Sequence, residues 1–327
     1  MSACTEYAMY KYDVHATIHG AIKDGNIEDL RQLLQDDDHF ITYAFLKAIE
    51  SMQVDMIRFL LEGYDVDVNQ YNGAALIDSA RCGNLEVVDL LLAHDADVTI
   101  GENGALEVAV ENGHAAVVDF LLESGADNNN TMIRIAISKG HTDVVRVLLE
   151  YGANANAPNV LLWAVQAKNT DMIKMLLDHG ATLEELNDAL ISSANSGDVE
   201  AVKIALAHGA DPNAFSGFPL RSVAFYNYVD VCRVLLEKGA DPNRNNPLRI
   251  ACCWASFDVA RMLLQHGADP TVHDNESIRV IVEEEFFEDL DFIAMMLSYG
   301  ADGSILPEDV YSQACERLVD TKPARVC

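Results

Sequence analysis

Residues 65–73, DVDVNQYNG, contain the first half of a calcium-loop pattern. Asp65, Asp67 and Asn69 fall at the first, third and fifth positions, where oxygen ligands would wrap a hard cation. The sixth position is Gln70, where the sharp turn needs glycine, and the twelfth is Leu76, where a bidentate glutamate should close the cage. Calcium binding is not expected. The chain's 10 histidines raise the same question for transition metals. His179, His208 and His266 each precede a glycine in the same local context, and His94 precedes Asp95. Equivalent places in successive structural units are too far apart to share one ion, so these side chains read as helix-terminal groups at the negative end of a helix dipole. The 7 cysteines (Cys4, Cys82, Cys232, Cys252, Cys253, Cys315 and Cys327) are an odd, scattered set without a CxxC pair. They read as free thiols of a reducing cytosol. Ser192 and Ser193 have no base at a fixed spacing, and glycine pairs such as GENG (101–104) link no buried strand to a phosphate-binding helix. No metal, cofactor or catalytic residue is expected, and the chain does not read as an enzyme.

Charge narrows the partners. Against 22 Lys and Arg stand 52 Asp and Glu, a net charge of −30. Such a surface disfavours nucleic acid, whose phosphates need Lys and Arg to displace counterions, and it disfavours anionic membrane. It favours a basic protein partner. No run approaches the ~20 apolar residues of a membrane span. The opening MSACTEYAMYKYD lacks a basic segment followed by an apolar run, so it is not expected to be a secretory signal. A cytoplasmic location, the cytosol of a host cell included, is the expectation. The acidic runs QDDD (35–38) and EEE (283–285) read as solvated faces or as binding patches.

The elements that would position any site emerge from an internal period. VVDFLLESGADNN (from 117), VVRVLLEYGANAN (144), AVKIALAHGADPN (201), VCRVLLEKGADPN (231) and VARMLLQHGADPT (259) are versions of one segment. Its glycine recurs at 125, 152, 180, 209, 239, 267 and 300, in steps of 27 to 33 residues. Asp95 stands in the glycine's place upstream, and more degenerate copies start at 56 and 25. Within the copy 104–130, Leu106, Ala109 and Val110 form the apolar stripe of a short helix that Gly113 stops. Ala116, Val117, Leu121 and Leu122 form the stripe of a second helix, which Gly125 ends in a left-handed cap. Asp-Pro-Asn after the later glycines fits a turn, because Asx side chains bond nearby amides. One helix–turn–helix copy cannot bury its stripe alone, but stacked copies can.

This pattern resembles the ankyrin repeat family. The resemblance rests on Leu-Leu-x-x-Gly-Ala-Asp, on Gly-His at 113–114 and 140–141, and on Pro-Leu at 219–220 and 247–248. It covers about 15–302 and implies an all-α helical repeat solenoid of about ten helix–turn–helix units. The family's Thr-Pro-Leu-His opening is approximated only by FPLR and NPLR, with Arg134, Arg221 and Arg249 in the histidine's place. The copies run about four residues short of the usual 33. Both helices look whole, so the deletion should fall in the β-hairpin fingers, leaving them short or absent. Short copies lacking that opening resemble arrays of large DNA viruses and some intracellular bacteria. Residues 1–14 read as an N-terminal cap segment and 303–327 as a C-terminal capping helix, with Pro307 in its first turn, followed by a frayed tail.

The resemblance implies a non-catalytic scaffold or adaptor, a monomer that binds a cytosolic protein through the concave face lined by the first helices. Positions aligned with Val108, Glu111 and Asn112 should face that groove. Most units place polar or small residues there, among them Lys47, Asp78, Ser138, Gln166 and Asn195. Three units place Trp163, Phe225 with Tyr226, and Ile250 with Trp254, while Tyr228 and Phe257 lie just beyond in the turns. Trp163, Phe225, Tyr226, Tyr228 and Trp254 are the candidate partner-binding residues. The rings could also fill gaps between units. An alternative function is an acidic inhibitor, or nucleic-acid mimic, that occupies a basic site on a host protein.

Overall fold

The computed structural model describes residues 14–35 and 40–320. Most of the expected N-terminal cap, most of the QDDD run and the tail after 320 lie outside the described residues. The chain forms two compact halves, Met1–Ala157 and Pro158–Cys327. In the first half, helices pair as α1 (14–23) with α2 (Ile27–Gln35), α3 (Ile41–Glu50) with α4 (Val54–Gly63), and α5 (Gln70–Arg81) with α6 (Leu85–Ala93). Two more pairs follow, α7 (Ile100–Asn112) with α8 (Ala115–Glu123) and α9 (Asn130–Lys139) with α10 (Thr142–Glu150). The second half pairs α11 (Val160–Gln166) with α12 (Thr170–Asp178), α13 (Leu183–Ser196) with α14 (Val199–Ala207), and α15 (Ala214–Tyr226) with α16 (Val229–Glu237). It ends with α17 (Pro247–Cys253) and α18 (Phe257–Gln265), α19 (Val272–Glu283) and α20 (Leu290–Ser298), and a single helix α21 (Glu308–Asp320). The fold is all-α, and the ten pairs among the described residues match the count of about ten repeats read from the period.

Within each half, first helices pack on first helices and second on second, so α11, α13, α15, α17 and α19 form one layer and α14, α16, α18 and α20 another. The core is the seam between layers. Ala109, Ala136, Ala164 and Ala251 are wholly buried there, where small side chains let helices approach. Leu106, Leu121, Ile133, Leu148, Leu220 and Leu235 fill the same seam. Each side chain of this kind is worth about 1.5–3 kcal/mol when buried.

Helix ends follow the sequence closely. Asn169 accepts from the Met172 amide at 3.0 Å, and Asp198 accepts from both Glu200 and Ala201 at 3.1 Å, each capping a second helix. Gly125 takes φ +98 beyond α8. Asp95, standing in the glycine's place beyond α6, adopts φ +62 and bears the Cβ penalty that glycine avoids. The long last step between glycines comes from the α19–α20 connection, residues 284–289.

No strand occurs among the described residues, in line with short or absent fingers. In part of the array a specific turn takes the place of the finger. In four repeats the first helix opens with a three-residue left-handed turn inside its span: Tyr71–Gly73 in α5, Gly101–Asn103 in α7, Phe215–Gly217 in α15 and His273–Asn275 in α19, all with φ between 48 and 84. In these four repeats the turn stands where a longer copy would carry a hairpin.

The Asp-x-Asn motif ties these connections together. Asp211 accepts from the Asn213 amide at 2.8 Å, an Asx turn, and the same bond recurs at Asp67, Asp241 and Asp302. The Asn213 side chain then reaches the next repeat, donating to the Gly239 carbonyl at 2.9 Å and accepting from the Asp241 amide at 2.7 Å. Asn69 clamps Asp95 and Asp97 in this way, and Asn243 clamps Gly267 and Asp269. These clamps take over the inter-repeat bonding that strands of a finger would otherwise supply.

Candidate functional site

The five sequence-selected rings all lie in the second half, and four of them come together. On α15, Leu220, Val223 and Ala224 point into the core. Phe218, Arg221, Ser222 and Phe225, at offsets of three, four and seven residues, share the opposite side. Gly217 ends the left-handed turn at the start of this helix, at φ +84, and a Cβ there would come within 3.1 Å of the Arg244 carbonyl oxygen. Only glycine permits that approach, which seats α15 against the connection before α17.

Trp254 caps the C-terminus of α17, and its ring centroid lies 4.3 Å from that of Phe225. Phe225 meets Tyr226 edge-on at 4.7 Å, and Tyr226 stacks on Tyr228 at 5.4 Å. The result is a continuous row, Trp254–Phe225–Tyr226–Tyr228. Phe225 is 39% exposed, Tyr226 50% and Trp254 58%. Phe218, at 40% exposure, extends the apolar surface. Phe218, Phe225, Tyr226, Ile250 and Trp254 edge a hollow of about 370 Å³ whose polar side is Asn195, Arg221 and Ser222. Ser222 Oγ donates to Asn195 Oδ1, which fixes the polar side.

The other rings have different places. Tyr228 is half-buried, and its ring lies where a Cβ on Gly197 would come within 3.1 Å of it. His114 and His141 cover Gly83 and Gly113 in the same way, with Nε2 2.9 and 3.0 Å from the carbonyl oxygens of Arg81 and Glu111. Tyr228 therefore has a packing task as well as a stacked neighbour. Trp163 is half-buried on α11, with the α13–α14 pair between its repeat and that of Phe225, and it does not line the hollow. Phe257 belongs to a separate cluster, 5.0 Å from the buried Phe292 and 6.0 Å from Phe286. Sequence reasoning passed over Phe218, although its offset of seven from Phe225 marks it as a helical neighbour. It also passed over Arg279, which follows a buried Ile278 just as Arg221 and Arg249 follow Leu220 and Leu248.

Among the described residues no three of His, Cys, Asp and Glu gather as a metal site. The histidines before the glycines close their own helices: His179 and His266 place Nδ1 2.9 Å from the carbonyl oxygens of Met175 and Met262. Burial pushes the Cys232 thiol up to about 12 and raises that of Cys252 as well, which removes the thiolate needed for nucleophilic attack. No helix is long and apolar enough to cross a membrane among the described residues. What the second half presents is a half-exposed aromatic row beside a shallow hollow.

The match to a family model agrees with this architecture. The family model for ankyrin repeats (3 copies) matches residues 18–102, 106–188, 161–246 and 190–274. No curated protein sequence matches the chain. Among solved structures, an ankyrin repeat domain from Acinetobacter baumannii AYE is 24% identical, with a TM-score of 0.45 over 50% of this chain and 98% of its own. The ankyrin repeat domain of Bcl-3, described as a unique member of the IκB protein family, is 23% identical, with a TM-score of 0.48 over 58% of this chain and 97% of its own. With the family model spanning most of the sequence and ten helix pairs in place, the chain belongs to the ankyrin repeat family.

Proposed function

We propose that the chain is a non-catalytic interaction module, a cytosolic monomer that binds a protein partner on the solvent side of its first-helix layer. Ankyrin repeats generally serve protein–protein interaction, and stacked repeats offer extended binding surfaces. The observation that carries the reading is the row Trp254–Phe225–Tyr226, three large rings between 39% and 58% exposed at positions that are polar in most repeats. Tyr and Trp dominate interface energetics because they combine large apolar area with few rotamers. Trp163 would extend the contact toward α11, and Tyr228 would support the row from below. A charge of −30 supports a partner that is basic over much of its surface.

The same charge favours a second reading, an acidic inhibitor or nucleic-acid mimic seated in a basic site. The test is affinity capture from cell extract by the intact chain beside the double variant Phe225→Ala, Trp254→Ala, with circular dichroism confirming equal helix content. A partner held by the intact chain should be lost by the variant, with little dependence on salt. Equal retention by both would remove the rings from the interface, and retention abolished by salt alone would favour the mimic.

A further inference from the structure

The hollow beside Phe225 and Trp254 has a local charge opposite to that of the chain. Acidic side chains outnumber basic ones by 52 to 22 in the sequence, yet none of the residues that line the hollow is acidic. Its one charged side chain is Arg221, which is exposed and stands outside every ion pair formed among the described residues. Arg221 also edges a neighbouring hollow of about 200 Å³, together with Arg249, His273 and Glu276. There Arg249 already has a carboxylate, with its Nε 2.6 Å from Glu276 Oε1. Arg279, the next arginine in the row, is paired with Asp274. Of the three successive arginines, the one bordering the aromatic hollow is the one left for a partner.

The chemistry of that group selects its ligand. A guanidinium offers only donors, in a planar fork that matches a carboxylate through two parallel bonds. An incoming ammonium could sit on a ring face. It would then bring like charge beside Arg221, with no carboxylate lining the hollow to neutralise it. The acidic remainder of the chain acts at longer range. At physiological ionic strength its field decays over about 8 Å, so it governs approach more than pairing at contact.

Taking the interaction reading above as its basis, we infer that the partner segment entering this hollow carries a large apolar side chain with a carboxylate close to it in sequence. The apolar group lies against Phe218, Phe225 and Trp254, and the carboxylate bridges to the Arg221 guanidinium. The long-range field then steers a partner that is basic elsewhere, while the docking segment itself is acidic and apolar.

Three sets of short fluorescent peptides test this against the full chain by anisotropy. All share a central Leu, Phe or Trp, flanked by Asp and Glu, by Asn and Gln, or by Lys. The acidic set should bind about tenfold tighter than the neutral set. Arg221→Gln should erase that advantage and leave the neutral set unchanged, and Trp254→Ala should weaken every set that binds. Lysine peptides binding tighter than acidic ones, with loss on Trp254→Ala, would overturn the acidic-segment inference and leave the interaction surface standing. Acidic peptides that bind regardless of both substitutions would overturn the hollow as the site and the interaction reading with it. No binding by any set up to about 1 mM, the weak end of measurable affinity, would overturn the inference too.

Discussion

Asn213 is the sharpest test of how these shortened repeats hold together. Its amide joins two repeats with both ends, donating from Nδ2 to the Gly239 carbonyl at 2.9 Å and accepting at Oδ1 from the Asp241 amide at 2.7 Å. Alanine removes both bonds. A hydrogen bond contributes about 0.5–1.5 kcal/mol net, so the pair sums to about 1–3 kcal/mol. The site is exposed, so water can resolvate the freed carbonyl and amide, and the lower part of that range applies, about 1–2 kcal/mol. In a half the size of Pro158–Cys327, each kcal/mol moves Tm by about 2–4 °C, so Asn213→Ala should lower Tm by roughly 2–8 °C. Thermal unfolding followed by circular dichroism reads the global effect, and amide hydrogen exchange reads the local one, with protection of the Asp241 amide falling selectively. Asn213→Asp retains the acceptor and loses the donor. It should therefore keep the Asp241 amide protected while still lowering Tm, because it sets a carboxylate against the Gly239 carbonyl. An unchanged Tm together with unchanged Asp241 protection in Asn213→Ala would refute the clamp as a source of inter-repeat stability.

Two further outcomes follow from the turns and the charge. Ser216 is exposed with φ 63 in the left-handed turn at the start of α15, where a Cβ costs about 1–2 kcal/mol. Ser216→Gly gives back part of that gain through the unfolded chain's extra freedom, so Tm should rise by the equivalent of about 0.5–1 kcal/mol. A fall in Tm would place the turn elsewhere in conformational space. With pH, stability should pass through a maximum. Hydroxyl and amide donors of Thr99, Thr271 and Ser304 hold the Asp97, Asp269 and Asp302 carboxyls below the ordinary value, and the Ala201 amide does the same for Asp198. Each folded value lies below the unfolded one near 3.9, so this stabilisation is full above about pH 4 and is lost as pH falls through the folded values. Burial, then Asp188, raises Glu185, so the folded chain binds that proton more readily and gains stability as pH falls toward the ordinary glutamate range. Relief of self-repulsion in a chain of −30 acts in the same direction. Differential scanning fluorimetry should therefore show Tm rising from pH 7 toward about 5 and dropping below about 4. A Tm still rising at pH 3 would contradict the role given to the Asx turns.

The repeat architecture was legible because it rests on positions where physics leaves little choice. Leu106, Ala109, Val110, Val117, Leu121 and Leu122 recur at helical spacing because each copy must bury a stripe against its neighbours, and all six are buried, whereas Ala116, read into the same stripe, is exposed and Val118 is buried. Gly125 and its equivalents recur because the chain turns there with positive φ. The missing fingers were legible as a length deficit. The left-handed turns that replace them were not, since Tyr71, Glu102 and Phe215 are residue types that avoid positive φ. The clamp role of asparagine was only half visible. Asp-Pro-Asn announces an Asx turn, but the reach of Asn213 to Gly239 crosses 26 residues and no local pattern encodes it.

The aromatic positions show where reading stopped and why. Phe225 and Phe257 are the same residue type, each flagged near the first-helix surface, yet their surroundings separate them. Phe257 meets Phe286, carried by the enlarged α19–α20 connection, and the buried Phe292, so its ring is absorbed into packing. Phe225 faces Asn195 and Ser222 across the hollow, side chains too small to cover it, and stays 39% exposed. Whether a ring is core or contact thus depends on what neighbouring repeats present, a property set by residues some thirty positions away. Net charge misleads in the same manner: −30 describes the field around the chain, while the one charged side chain that lines the hollow is Arg221. In a stack whose buried positions are dictated by packing, the solvent side of the first helices is where sequence can vary without unfolding the array. Departures from the polar pattern there, the three exposed rings beside the unpaired Arg221, are therefore where we propose the partner surface.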